Sequence, residues 1–154
     1  MVTDVIIIGG GAAGLCTAVY LKQNNPALSV RILEALPRVG KKLSLTGNGR
    51  CNITNKSEAL SAFHGERVEF ARFALEKYGL NAQEAFFESI GVPLTYEGDK
   101  GYPACLQASS VVDALRFAAD SLGVITHTET KVKNIQIQRN KYRVSTDKLS
   151  FLAE

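Results

Sequence analysis

The segment DVIIIGGGAAG, at residues 4–14, constrains the fold of this chain more than any other feature. Residues 4–8 include a short run of β-branched apolar side chains, which is typical of a strand buried on both faces. Four glycines and two alanines follow, and the apolar pattern of residues 15–24 then predicts a helix. Beyond Asn25-Pro26, residues 29–34 predict a second buried strand. The sequence therefore predicts a βαβ unit with a glycine-rich turn before its helix.

The glycine-rich turn matches G-x-G-x-x-G in the required context, after a strand and at the start of a helix. Gly9 permits the tight turn, Gly11 lets a pyrophosphate approach the backbone, and Gly14 lets the helix pack closely on the strand. Ala12 and Ala13 belong to the same turn, whose backbone N–H groups would hold phosphate charge. Such turns also occur for packing alone, and the motif by itself does not separate FAD from NAD.

Glu34 ends the second predicted strand, twenty residues after Gly14. An acidic side chain at this place accepts hydrogen bonds from the ribose hydroxyls of a dinucleotide, and it repels a 2′-phosphate. Strand, turn, helix, second strand and acid thus stand in the order of a dinucleotide site. The sequence predicts a dinucleotide other than NADP as the ligand of this turn.

Charge and composition narrow the class of protein. The 154 residues fit one domain, and a net charge of +3 without a long basic run predicts no nucleic-acid partner. No apolar run approaches the roughly 18 residues of a membrane span, and the N-terminus lacks the pattern of a signal peptide. Three widely spaced cysteines predict neither a disulfide framework nor a metal site, and they favour a reducing cytoplasm.

The polar stretch TGNGRCNITN, at residues 46–55, is the second unusual feature. It follows RVGKK, at residues 38–42, whose basic side chains could meet phosphate oxygens. Its glycines would let the backbone lie against a flat or charged group. Both segments follow the second strand, on the side where open α/β sheets bind ligands. The sequence favours a cofactor-facing loop, and a flexible surface loop is the alternative.

Taken with the glycine turn and Glu34, the segment GKKLSLTGNGRCNITN at residues 40–55 resembles a known flavoprotein family. It is similar to the NAD(P)/FAD-dependent oxidoreductases of the aminoacetone-oxidase and bile-acid-reductase type, and GRCN is its distinctive element. The resemblance covers essentially the whole chain and implies a Rossmann-like FAD domain of the glutathione-reductase type. Family members carry inserted and C-terminal parts that this chain lacks. Residues 1–154 are therefore expected to be the N-terminal part of an FAD-binding domain.

The resemblance also implies a set of cofactor-binding residues. It assigns the pyrophosphate to the glycine turn, the adenosine ribose to Glu34 and the adenine to the backbone of Val132. The segment around GRCN would run along the cofactor toward the flavin. The full set is Gly9, Gly11, Ala12, Ala13, Gly14, Glu34, Lys42, Thr46, Gly47, Gly49, Arg50, Cys51, Asn52 and Val132. No catalytic residue and no metal ligand is assigned.

The rest of the chain predicts additional helices and an antiparallel β segment. The helices are expected at 66–79, 81–91 and 109–123, with Gly79 ending the first and with capping pairs Asn81/Glu84 and Ser110/Asp113 opening the others. A strand and turn are expected at 92–103, and four strands at 124–154. Four aromatic side chains are predicted to be core residues: Phe70, Phe73, Phe86 and Phe87. Five basic side chains are predicted to form a solvated sheet face, with a weak contact to an anionic partner as the alternative: Lys131, Lys133, Arg139, Lys141 and Arg143.

The roles of four polar side chains can be narrowed. Cys51 is either redox-active or has a structural or cofactor-packing role, and the lack of a C-x-x-C partner favours the structural or packing role. Arg50 either stabilises negative charge on a reduced flavin or pairs with a carboxylate. His64 and His127 have no spacing that suggests metal or triad chemistry, and both are predicted to be surface residues.

The first hypothesis is therefore an FAD-dependent oxidoreductase. FAD would be reduced by NAD(P)H or an organic donor, and electrons would pass to a small enone-like substrate or to oxygen. One alternative is a non-catalytic dinucleotide-binding module. Another is an NAD-dependent dehydrogenase, which would leave GRCN unexplained. An incomplete sheet would leave an edge to cover, and a homo-oligomer is one way to cover it.

Overall fold

A computed structural model describes residues 2–57 and 60–154 and contains the predicted βαβ unit. Strand β2 (Val5–Ile8) leads through the glycine turn into helix α1 (Ala12–Asn24), and strand β3 (Val30–Leu33) then pairs parallel with β2. Strand β7 (Ile125–His127) pairs parallel with the other edge of β3. The result is a three-stranded parallel sheet in the order β2-β3-β7.

The chain divides into two units, residues 1–43 with 112–154, and residues 44–111. The first unit holds the parallel sheet and a second sheet in the order β1-β10-β9-β8. In that second sheet, β1 (Val2–Thr3) pairs parallel with β10 (Ser150–Ala153). Strands β8 (Val132–Gln138), β9 (Lys141–Thr146) and β10 form an antiparallel meander, as the sequence predicted.

The second unit contains a small antiparallel sheet in the order β4-β6-β5. Strand β4 is Thr54–Asn55, and β5 (Leu94–Glu97) and β6 (Lys100–Pro103) form a hairpin around the predicted turn. Gly98 has a φ of +60° in its tight turn. Helices α2 (Arg72–Lys77) and α3 (Leu80–Ser89) also belong to this unit, and helix α4 (Ala108–Ser121) begins in it. The second unit also contains short 3-10 segments at Leu43–Gly49, Leu60–Ala62 and Val68–Ala71. The first residue of the first segment, Leu43, is counted with the first unit.

Helix α1 packs against β3 and β2 and forms the centre of the first unit. Leu15, Val19, Ile32 and Leu33 are all at least 99% buried. Each such side chain stabilises the fold by about 1.5–3 kcal/mol through burial. Lys22 is also buried, because its ammonium donates to the carbonyls of residues 26 and 28, where the chain turns from α1 toward β3. A lysine thus closes this turn while its stem packs with the core.

The helix predicted at 66–79 is shorter than expected, and its aromatic stripe does not reach the core. A 3-10 turn at Val68–Ala71 precedes the six residues of α2. A 3-10 turn has three residues per turn, so it does not maintain the stripe that a 3.6-residue period predicts. Phe70 is 90% exposed and Phe73 is 70% exposed, so their predicted core role is wrong. Phe86 and Phe87 are half-buried in an edge-to-face contact.

Both predicted capping pairs are also wrong. Helix α3 begins one residue earlier than predicted, with the extended backbone of Gly79 as its N-cap. Gly79 also directly follows Tyr78, the C-cap of α2, which agrees with its predicted place at the end of that helix. Glu84 instead accepts a hydrogen bond from the Tyr96 hydroxyl. Ser110 lies inside α4, where its hydroxyl donates to the carbonyl of Gln107. A capping pattern matches several neighbouring registers, and backbone geometry decides which one is used.

His127 is not the surface residue that the sequence predicted, whereas His64 is exposed. His127 is half-buried at the end of β7, where its Nε2 lies 3.0 Å from Nη1 of Arg31. Its ring lies against Phe151, and Arg31 also donates to the buried Thr3 hydroxyl at 2.8 Å. The parallel pairing of β7 with β3 causes this placement, because it brings His127 beside Arg31, which is distant in sequence.

These contacts predict an acid-sensitive element of stability. Burial, and secondarily the charge of Arg31, lowers the pKa of His127. The unfolded chain therefore binds the proton more tightly, so this stability is complete above about pH 6.5 and is lost as the pH falls below it. We expect His127→Gln to flatten the decrease in Tm between about pH 7.5 and pH 5 in thermal unfolding. His64→Gln should follow the wild type, and equal slopes for wild type and His127→Gln would contradict the prediction.

Candidate functional site

Two glycines of the turn are required by the packing of the chain itself. Gly9 has a φ of +99°, a conformation that side chains disfavour, and its N–H donates to the carbonyl of Leu33 at 2.8 Å. A Cβ at Gly14 would lie 2.0 Å from the carbonyl oxygen of Gly9. The start of α1 therefore lies against the end of β2 with no room for a side chain, as the glycine motif predicted.

Gly11 is different, because packing does not require it. A Cβ at Gly11 would have no atom of the described residues within 4 Å, and its φ is an ordinary −81°. Gly11 is the N-cap of α1, and Gly11, Ala12 and Ala13 are all exposed. The first N–H groups of a helix lack partners within the helix, and its N-terminus carries partial positive charge. Open space beside these donors fits a pyrophosphate.

Glu34 connects the glycine turn to the end of β3. Its Oε2 accepts a hydrogen bond from the N–H of Gly10 at 2.7 Å, and its Oε1 accepts one from the N–H of Leu36 at 2.8 Å. A carboxylate has about four lone-pair sites, so the two ribose hydroxyls could still be accepted. The residue thus has a structural role that sequence reasoning missed, beside the predicted ribose contact.

The segment after Glu34 also packs on the glycine turn. The N–H of Gly40 donates to the carbonyl of Gly10 at 2.8 Å. A Cβ at Gly10 would lie 2.4 Å from Cγ1 of Val39, which is buried. The middle glycine of GGG and the VG of RVGKK were the available sequence signals for this contact. Lys42 is exposed, and its predicted cofactor contact stays a prediction.

Residues 129–132 lie alongside the same edge. The N–H of Thr130 donates to the carbonyl of Glu34 at 2.8 Å, and the N–H of Glu129 donates to that of Leu36 at 3.1 Å. Val132 begins β8 two residues later and is half-buried. The structure therefore brings the segment leading to Val132 beside Glu34, although almost a hundred residues separate them. The adenine contact of Val132 stays a prediction.

The loop at residues 46–52, called the GRCN loop here, belongs to the second unit and has left-handed backbone at several residues. Gly47, Asn48, Gly49 and Cys51 have φ values of +56°, +54°, +81° and +62°. The N–H of Cys51 donates to the carbonyl of Thr46 at 3.0 Å, which closes the loop on itself. Left-handed backbone is uncommon in residues other than glycine and persists only where the surroundings hold it. The loop is therefore a defined structure, not an irregular linker.

Arg50 adopts the carboxylate-pairing role, one of the two that its sequence left open. Its Nη1 lies 2.8 Å from both carboxylate oxygens of Glu97. The guanidinium carbon also lies 4.5 Å from the ring centroid of Tyr102, which is buried. Neither partner was identified from the sequence, since nothing in YEGDKGYP marks a contact with a residue almost fifty positions away.

Cys51 is packed in the interior of its unit. It is 2% exposed, and burial raises the pKa of its thiol, with partial opposition from a hydrogen bond to Thr46. A buried, protonated thiol is a poor nucleophile. The structure thus agrees with the packing role that the sequence favoured over a redox role. Asn52 and Thr46 are exposed, and Gly47 and Gly49 supply the positive φ values of the loop.

Two negative findings concern only residues 2–57 and 60–154. In these ranges no group of three or more His, Cys, Asp or Glu side chains is placed to hold a metal ion. Over the same residues, no helix combines the length and the apolar character needed to cross a membrane.

The matching family model is the HI0933-like protein Rossmann domain, which aligns with residues 3–154. The chain belongs to this family. Membership supports the FAD cofactor that the sequence predicted, and the predicted Rossmann-like α/β fold is confirmed.

The chain is similar to several known proteins. It is 35% identical to the 3-dehydro-bile acid delta(4,6)-reductase of Clostridium scindens, over 96% of this chain and 36% of that protein. It is 26% identical to the ribosomal RNA dihydrouridine synthase of Haemophilus influenzae, over 92% of this chain and 35% of that protein. The chain thus spans about a third of the length of these relatives.

A solved structure with the same fold is a 3-ketosteroid-delta4-(5alpha)-dehydrogenase from Rhodococcus jostii. Its TM-score is 0.64 at 15% identity, and the match covers 98% of this chain and 43% of that one. At this identity the likeness supports the fold.

Two glycine substitutions should separate the needs of packing from those of a ligand. Gly14→Ala should lower the free energy of unfolding by roughly 1–3 kcal/mol or more, because the methyl group overlaps the Gly9 carbonyl. Gly11→Ala should cost about 1 kcal/mol or less at an N-cap, yet weaken FAD binding about tenfold or more. Urea unfolding and FAD titration measure the two effects. Unchanged affinity in Gly11→Ala would show that no pyrophosphate lies against this turn.

The cysteines should differ in reactivity. Cys105 is exposed, and its contact with the Ser110 hydroxyl at 2.9 Å contributes most to lowering its thiol pKa. A maleimide at neutral pH should therefore label Cys105 well before Cys51, as read by peptide mass spectrometry. Cys105→Ser should remove the fast phase, and unfolding should expose Cys51. Equally rapid labelling of Cys51 in the folded chain would contradict its buried position.

Proposed function

We propose that the chain is the FAD-binding portion of a flavin-dependent oxidoreductase. The observation that carries this proposal is the open space beside Gly11, at the N-terminus of α1 and next to Gly10, which Glu34 holds. We further propose that residues 1–154 are the N-terminal part of an FAD domain, completed by inserted and C-terminal parts. The share of the relatives that the chain covers supports this division.

The residues of the chain would bind and orient the cofactor. Backbone N–H groups at Gly11–Ala13 would hold the pyrophosphate, and the free lone pairs of Glu34 would accept the ribose hydroxyls. The GRCN loop, with Lys42, would contact the part of the cofactor toward the flavin. FAD supplies the electron-transfer chemistry when bound, and the protein tunes it by charge and position.

We propose a carbon–carbon double bond conjugated to a carbonyl as the substrate class, with NAD(P)H as the electron donor. The name of the Clostridium scindens relative, a delta(4,6)-reductase of a 3-dehydro-bile acid, supports an enone of this kind. Oxygen is the alternative electron acceptor. The substrate itself would be a small organic molecule in the cytoplasm.

A second candidate substrate is uridine within RNA, whose ring also contains a double bond conjugated to a carbonyl. The dihydrouridine synthase relative favours it. The distribution of charge also favours RNA. Residues 131–154 contain six Lys and Arg and only two Asp and Glu, whereas the whole chain has a net charge of +3. The exposed side chains of Lys131, Lys133, Arg139 and Arg143 could meet phosphates. This candidate departs from the expectation of no nucleic-acid partner.

Absorption spectroscopy tests the cofactor proposal. The purified chain, and a version extended to the length of its relatives, should show flavin bands that survive desalting after FAD is added. Glu34→Gln should weaken retention, because it removes charge that favours the ribose hydroxyls, and Glu129→Gln is an acidic control without that contact.

Each outcome assigns a different function. Bands only in the longer version would mean that residues 1–154 alone are a non-catalytic part of the site. NAD binding without flavin bands would instead favour a dehydrogenase. Oxidation of a bound, reduced flavin by an enone, by a uridine-containing RNA or by oxygen alone would separate the three acceptors. Gel filtration would show whether the protein is a homo-oligomer.

A further inference from the structure

We propose that Glu97 and Tyr102 are positioning residues that hold the Arg50 guanidinium, and that through it they set the reduction potential of FAD bound along the GRCN loop. This inference rests on the proposed function. Both residues lie on the β5–β6 hairpin, which neither the glycine motif nor the resemblance assigns to the cofactor site.

The contacts of Arg50 fix its orientation from two sides. One guanidinium nitrogen lies 2.8 Å from each oxygen of Glu97, and the guanidinium carbon lies over the Tyr102 ring, 4.5 Å from its centroid. The Arg50 side chain is 36% exposed and that of Glu97 is 52% exposed. Ion pairs this exposed add little to stability. The main consequence of the arrangement is therefore where the positive charge of Arg50 lies.

The hairpin is itself joined to the loop on both sides of β4. The N–H of Ile53 donates to the carbonyl of Gly101 at 2.8 Å, and the N–H of Lys56 donates to that of Asp99 at 2.8 Å. A Cβ at Gly101 would lie 2.7 Å from Cγ2 of Thr54, so the two strands approach as closely as glycine allows. Backbone hydrogen bonds thus hold the loop that carries Arg50 against the hairpin that carries Glu97 and Tyr102.

The pairing has a definite electrostatic consequence. Arg50 and Glu97 together carry almost no net charge. Removing the carboxylate leaves a positive charge, which stabilises the more negative, reduced state of a nearby flavin and raises its reduction potential. Removing the guanidinium leaves a negative charge with the opposite effect. A residue that only supports the fold would not produce shifts of opposite sign.

Potentiometric titration of the FAD-reconstituted protein tests this inference. The two-electron midpoint potential would be measured against a reference dye for wild type, Glu97→Gln and Arg50→Gln. We expect a shift to more positive potential in Glu97→Gln and to more negative potential in Arg50→Gln. Glu88→Gln removes an exposed acid of the same unit and should keep the wild-type potential. No shift, or shifts of the same sign, would overturn the proposal.

The aromatic partner is tested by its coupling to Glu97. Tyr102→Leu removes the ring that holds the guanidinium, so the shift caused by Glu97→Gln should become smaller in that background. Tyr102→Phe keeps the ring and should restore the full shift. An equal shift in all three backgrounds would remove Tyr102 from the proposal. If the wild type holds no flavin, the proposed function itself fails, which is a different result from flavin binding with unchanged potentials.

Discussion

The close approach of α1 to the end of β2 is the constraint on which the first unit depends. The carbonyl of Gly9 lies where a side chain at Gly14 would begin, so only glycine permits the contact. This packing brings the N-terminus of α1 to the carboxyl end of the parallel sheet, the edge at which α/β proteins bind ligands. The phosphate site that we propose here depends on backbone N–H groups, without a charged side chain in the turn itself.

Two glutamates act in comparable ways, Glu34 within the first unit and Glu97 within the second. Glu34 accepts backbone N–H groups from Gly10 and Leu36, and Glu97 accepts the guanidinium of Arg50. In each case a carboxylate holds a loop that has little apolar surface of its own. Directional hydrogen bonds to charged groups therefore contribute to the conformation of both loops, in addition to the few side chains that they bury. Both carboxylates keep acceptor capacity beyond these bonds.

In the second unit, the segment that carries the family resemblance is packed differently from the segment that follows it. The family and the fold are established, and the chain spans about a third of the length of two of its relatives. Within the unit, buried Cys51 and Tyr102 form part of the core beneath the GRCN loop, and Phe70 and Phe73 remain exposed. The loop that resembles a flavoprotein signature is thus better packed than the helix predicted after it.

Local sequence alone determined the βαβ unit, the glycine turn, the turn between β5 and β6 and the terminal meander, because each depends on periodicity or on glycine among neighbouring residues. It also indicated Glu34 and the GRCN loop as candidates. Only the tertiary structure decided that Glu34 binds Gly10, that Arg50 meets Glu97 and Tyr102, and that His127 lies beside Arg31. These contacts join residues separated by 24 to 96 positions, and no local pattern encodes which distant segments will pack together.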